Sequence, residues 1–139
     1  MMHEKPHQLL LAIGSNTHPD VNIKKAKRSL SQLLGTSIQF TPSLLTDPIG
    51  IGGPQFKNLL AIADSTLPYP LLREQLKAIE QSCGDTKENR ASGIVELDID
   101  VLWHLGTKHH EKDWQRPYIK QLINRFFNDK YNSFVESDK

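Results

Sequence analysis

Cysteine is almost absent from this chain of 139 residues. Cys83 stands alone, which excludes an internal disulfide and any metal site built on several thiolates. Its position on an apolar helical stripe points to packing rather than nucleophilic chemistry. Long hydrophobic runs are missing too, and the longest, Leu9 to Ile13, is far too short to cross a bilayer. The stretch before it lacks a signal-peptide core, so a cytoplasmic protein without a membrane partner is expected. An excess of one charge is also lacking. Lys and Arg number 17 against 16 Asp and Glu, a formal +1, which argues against a nucleic-acid partner. No internal repeat or low-complexity tract interrupts the chain. What remains, 37% hydrophobic and 24% charged residues, is the composition of a folded globular protein. The length, residues 1–139, suits one domain with a polar tail from about Asn132.

Gln8 to Ile13 reads as a buried strand that leaves through the turn Gly14-Ser15-Asn16. Asp20 is placed to cap a helix with Ile23, Ala26, Leu30, Leu33 and Leu34 on one face, and Gly35 ends it. Ile38 and Phe40 alternate as in a half-buried strand, and Leu59 to Ala63 reads as a deeper one. Between them, Thr46 to Pro54 is too rich in Gly and Pro for a regular element, and a long loop in a compact domain tends to be functional. Pro68 and Pro70 introduce a helix carrying Leu72, Leu76, Ile79 and Cys83 on one stripe. Val95 to Trp103 is the clearest strand, with Val95, Leu97, Ile99, Val101 and Trp103 opposed to Glu96, Asp98, Asp100 and Leu102. A last amphipathic helix carries Ile119, Leu122, Ile123, Phe126 and Phe127. The order predicts an α+β fold: a ferredoxin-like split βαβ core with an antiparallel sheet, helices packed on it and an extra C-terminal helix.

Alternation along the last strand sets Glu96, Asp98 and Asp100 on one face within roughly 13 Å. Such a row persists where water solvates it or where a hard cation such as Mg²⁺ neutralises it. Taken alone, it fits a solvated sheet face as well as a metal site.

Residues spread over most of the chain are similar to the 6-hydroxymethyl-7,8-dihydropterin pyrophosphokinase family. They include Ala12-Ile13-Gly14-Ser15-Asn16, the loop residues Thr46, Pro48 and Gly50, then Phe56 and Asn58, Glu80, and His110 with Arg116 six residues on. The interval from Glu80 to Asp98 equals the family's own and selects Asp98 and Asp100 as the metal pair. This resemblance implies a Mg²⁺-dependent enzyme, with two ions and ATP as co-substrate, that passes pyrophosphate to the pterin hydroxymethyl group in folate biosynthesis. It further implies catalytic roles for Asp98, Asp100 and Arg116, and pterin contacts by Asn16, Thr46, Ile49, Phe56, Asn58 and Tyr118. Nucleotide contacts fall to Glu80, Lys87, Arg90, Val101, His110 and Arg116. Its partners are small molecules, and the chain is expected to be a monomer or weak homo-oligomer.

Bland readings accompany these roles. Asn16 suits a turn, Phe56 and Tyr118 suit a core, and of the adjacent His109 and His110 only one can face a given site from an extended segment. The chain also departs from the family. Asp85 and Val95 stand where it has arginines, Ser92 where it often has tryptophan, and the segment from Gly106 to His110 is shorter. A degenerate relative that binds a pterin or nucleotide without turnover is the second expectation. A two-metal nucleotidyltransferase ranks below both, because Gly14-Ser15 is followed only by the solitary Asp20.

Overall fold

A computed structural model of the chain describes residues 8–48 and 53–127. Ile49, Gly50 and the tail from Asn132 lie outside the described residues. The elements run β1 (Gln8–Ser15), α1 (Pro19–Leu34), β2 (Gln39–Phe40), β3 (Leu44–Thr46), β4 (Phe56–Asp64), α2 (Tyr69–Ser82), α3 (Lys87–Ala91), β5 (Asp98–His104), β6 (Thr107–Lys108) and α4 (Pro117–Phe126). The sheet order is β2-β4-β1-β5-β6 with β3 also on β4, and its paired strands are antiparallel. Thus β4 lies between β1 and β2, and β1 between β4 and β5, the split βαβ arrangement of a ferredoxin-like α+β fold.

Central β1 explains why its sequence is continuously apolar rather than alternating. Leu9, Leu11 and Ile13 enter the core beneath α1 and α2, while Leu10 and Ala12 enter a second core with Ile119, Leu122 and Ile123 of α4. Both faces are covered, so no polar face is needed. No helix among the described residues is long and apolar enough to cross a membrane.

Several local expectations are corrected. The N-cap of α1 is His18, in left-handed conformation (φ 44°) and without a side-chain cap, not Asp20. Pro19, whose ring fixes φ, opens the helix, and Asp20 in its first turn pairs with Lys57. Thr46 is not loop but the end of the short strand β3, too brief for a period to be read. β4 starts earlier than expected, so Phe56 and Asn58 stand on a rigid strand. In β5 a bulge falls at Leu102, where Leu10 opposes Trp103 but Leu11 opposes Val101. The extra residue reverses the facing of the rest of the strand, so Trp103 packs with α4 and not beside Val101.

Candidate active site

Cross-strand partners share a sheet face, so the register of β1 fixes who meets at the sheet's end. Gly14 stands between Asn58 on β4 and Asp98 on β5, and Ala12 between Leu60 and Asp100. Glycine is required here by space. A Cβ on Gly14 would lie 2.6 Å from Asn58 Oδ1 and 3.7 Å from Phe56 Cδ2. Phe56 and Asn58, two apart on β4, face the hollow that glycine leaves, and Asn58 Nδ2 donates to Thr46 Oγ1 on β3. Tyr118 closes this hollow from α4, together with Asp113 and Arg116 just ahead of that helix. The result is a cavity of about 660 Å³ whose wall also includes Asn16, Val95, Arg90, Asp98 and Asp100.

A second cavity, of about 380 Å³, opens along the outer edge of β5. β6 pairs only with Trp103 and His104, so Asp98 to Val101 carry no sheet neighbour on that side among the described residues. Glu80 of α2 closes part of the edge, its Oε2 accepting the Ile99 N–H at 2.7 Å. Tyr69, Arg73 and Lys77 of α2, Lys87 and Arg90 of α3, and His110 supply the rest, with Val101 at the base. Asp98, Asp100 and Arg90 belong to both cavities and form the wall they share.

Charge is concentrated on that wall. Burial first, then Asp98, Asp113 and Glu80, push the Asp100 carboxyl up to about 8. Burial likewise raises Glu80 to about 7, partly opposed by the Ile99 N–H. Carboxyls packed this tightly do not all ionise without a cation. Arg90 supplies one. Its Nη2 donates to Asp98 Oδ1 at 3.2 Å and to the Leu97 carbonyl at 3.1 Å, while its Nε donates to Asp85 Oδ2 at 2.7 Å. Burial disfavours the guanidinium charge, but Asp85 and Asp98 outweigh it and raise the pKa further.

Of the residues expected from sequence, Asn16, Thr46, Phe56, Asn58 and Tyr118 all line the larger cavity, and Glu80, Lys87, Arg90, Val101 and His110 the smaller. Arg116 sits on the larger cavity, ion-paired with Asp113 Oδ1 at 3.0 Å, and so apart from Glu80, Lys87, Val101 and His110, also expected at the nucleotide. Asn16 is largely spent. Its Nδ2 donates to the Gly93 carbonyl and its Oδ1 accepts the Val95 N–H, both at 2.7 Å, so the side chain staples the 93–95 loop to β1. Glu96 does not join a row of three acids, because β5 begins only at Asp98 and the Glu96 carboxylate takes the Asn89 amide at 2.8 Å. The adjacent histidines part as expected. His110 faces Asp100 and Asp113, while His109 stacks on Tyr69 with ring centroids 4.3 Å apart.

Two groups of wall residues are not among those expected from the sequence. Tyr69, Arg73 and Lys77 lie one turn apart on α2 and continue to Glu80, a polar stripe legible at helical spacing. Asp113 carries the weaker signal of an acid three residues before Arg116.

The model of the 7,8-dihydro-6-hydroxymethylpterin-pyrophosphokinase family matches residues 10–126. The chain belongs to this family. No individual curated protein matches it. The matched span contains every described element of the pyrophosphokinase-family fold except the first two residues of β1. Both cavities therefore fall within it.

Proposed function

We propose that the chain transfers pyrophosphate from ATP to the hydroxymethyl oxygen of 6-hydroxymethyl-7,8-dihydropterin, a step of folate biosynthesis, with Mg²⁺ held by Asp98 and Asp100. The observation that carries this reading is the shared wall, which sets two aspartates and an arginine between a cavity with aromatic and amide walls and one with polar walls.

The larger cavity suits a flat ring with an amide-like edge. Phe56 and Tyr118 supply aromatic surface for the ring faces. Asn58, fixed by Thr46, turns its Oδ1 towards Gly14 and offers an acceptor to ring N–H groups. The smaller cavity suits the nucleotide, with Arg73, Lys77, Lys87 and Arg90 for phosphate charge.

The residues at the wall fit Mg²⁺. Two carboxylates project from one strand face, offer hard oxygens, and already draw a cation in the form of Arg90. When bound there, Mg²⁺, in the two copies expected from the family, supplies charge neutralisation for the triphosphate and acidifies the attacking alcohol. The chain's own residues align the reactants. In the transfer the hydroxymethyl oxygen bonds to the β-phosphorus, the bond from that phosphorus to the α-phosphate oxygen breaks, and AMP leaves while the alcohol proton is released. Positioning and electrostatics account for most of the catalysis in such a transfer. Arg116, oriented by Asp113, faces the acceptor side and stabilises charge on the transferred group.

Incubation with MgATP and 6-hydroxymethyl-7,8-dihydropterin should release AMP, and Asp98→Ala or Asp100→Ala should each lower the rate by about 10³-fold. AMP release no faster than in those variants, at high enzyme concentration, would sink the assignment. The second reading, a binding relative without turnover, is favoured by one feature: Arg90 is already engaged by Asp85 and Asp98, so part of its charge is neutralised before any phosphate arrives. It predicts that pterin or MgATP binds without AMP.

A further inference from the structure

Three potential ligands of another kind converge beside the paired aspartates. His110 Nε2 lies 3.9 Å from Asp100 Oδ1, and His110 Nδ1 lies 3.8 Å from Asp113 Oδ2. One donor atom from each residue fits within a 4.8 Å circle of mutual distances. Neither separation is a hydrogen bond, for which the heavy atoms would approach to about 3.2 Å or less. The three groups therefore face one another without bonding directly.

Two features hold this arrangement. The Asp113 N–H donates to the His110 carbonyl at 2.8 Å, so imidazole and carboxylate project from one tight turn over β5. Arg116 grips Asp113 by Oδ1 at 3.0 Å, leaving Oδ2 towards the imidazole. An outer group that fixes one oxygen and frees the other is how metal-binding carboxylates are commonly oriented.

We propose that Asp100, His110 and Asp113 form a site for a borderline first-row divalent ion of the Zn²⁺ and Co²⁺ class. Donor atoms around such an ion, with bonds of about 2.0–2.2 Å, stand roughly 3.0–3.5 Å apart, so separations of up to 4.8 Å close onto it with a contraction of at most about 1.3–1.8 Å. Imidazole nitrogen is a poor partner for Mg²⁺, which prefers oxygen in octahedral geometry, and a good one for Zn²⁺ or Co²⁺. The site shares Asp100 with the proposed Mg²⁺ pair but takes its other donors from the opposite side, so the ion class depends on His110 and Asp113. It does not rest on turnover.

The test uses the whole chain, freed of metal and without nucleotide. Zn²⁺ titrated calorimetrically against a competing chelator should bind at one tight site, and Co²⁺ there should give visible absorption with shifted, broadened His110 ring signals by NMR. His110→Gln and Asp113→Asn should each weaken Zn²⁺ at least about ten-fold. In both, Mg²⁺ affinity should stay within about two-fold, because the hard-oxygen pair Asp98 and Asp100 is retained. Asp98→Asn should do the reverse, weakening Mg²⁺ while sparing Zn²⁺. Failure to find a stoichiometric Zn²⁺ site, or one indifferent to both His110→Gln and Asp113→Asn, overturns the proposal. Unmoved His110 ring signals in the unsubstituted protein overturn it without any variant. Loss of AMP formation with this Zn²⁺ pattern intact would refute the pyrophosphokinase reading alone.

Discussion

Asp100 shows how a buried carboxyl beside another acid weakens the fold that carries it. Its pKa is raised to about 8 by burial and by Asp98, whereas an unfolded aspartate titrates near 3.9. Between those values the folded state holds a proton that the unfolded state has lost. The stability this contributes is therefore complete below about pH 4 and disappears as pH rises towards 8. Glu80, raised to about 7, acts with the same sign. Thermal denaturation without divalent cations should give a Tm that falls from pH 5 to pH 8, with a shallower fall in Asp100→Asn. A Tm that climbs over this range in the unsubstituted protein would refute the raised carboxyls of Asp100 and Glu80. Strand alternation in the sequence offers Glu96, Asp98 and Asp100 alike, and only the resemblance, through the interval from Glu80 to Asp98, picks out the last two. Asp113 is not picked out, because only the fold returns it to β5 from the far side of the β5–β6 hairpin. Asn16 reads in the sequence as a ligand or a turn residue, and what it does instead, binding Gly93 and Val95, depends on a contact between segments far apart in the chain.

At the scale of elements, the cavity with aromatic walls exists because β1, β3 and β4 meet at Gly14, Thr46 and Asn58. Gly14→Ala puts a methyl group 2.6 Å from Asn58 Oδ1 and must displace the amide that bonds Thr46. Crowding of this kind costs about 1–3 kcal/mol, which urea denaturation would register. Pterin affinity should fall more than MgATP affinity, since the smaller cavity does not include Gly14. Equal losses for both ligands would count against separate cavities. The helices with clear periods, α1, α2 and α4, and the continuous apolar run of β1 are readable from sequence, and their order leads to the ferredoxin-like core. Short elements are not. β3, β6 and α3 have two to five residues and no period to read, so they depend on neighbours for their conformation. The bulge at Leu102 likewise leaves no local mark, yet it decides that Trp103 packs against α4.

For the whole molecule, the ferredoxin-like core puts β5 against β1 on one side and, among the described residues, leaves Asp98 to Val101 without a sheet neighbour on the other, so one pair of aspartates borders two cavities. The departures from the family fall on both cavities, Asp85 on the smaller and Val95 on the larger. Asp85, standing where the family has an arginine, bonds Arg90, which also bonds Asp98, so this guanidinium neutralises the wall. The central claim is that this wall directs a pyrophosphoryl group from one cavity to the other, and product identity in a single turnover tests it most directly. With enzyme in excess over 6-hydroxymethyl-7,8-dihydropterin, and with MgATP, phosphorus NMR should show AMP and the pterin diphosphate in equal amounts, no ADP, and neither product in Asp98→Ala. ADP with a monophosphorylated pterin, or undiminished AMP from Asp98→Ala, would contradict it.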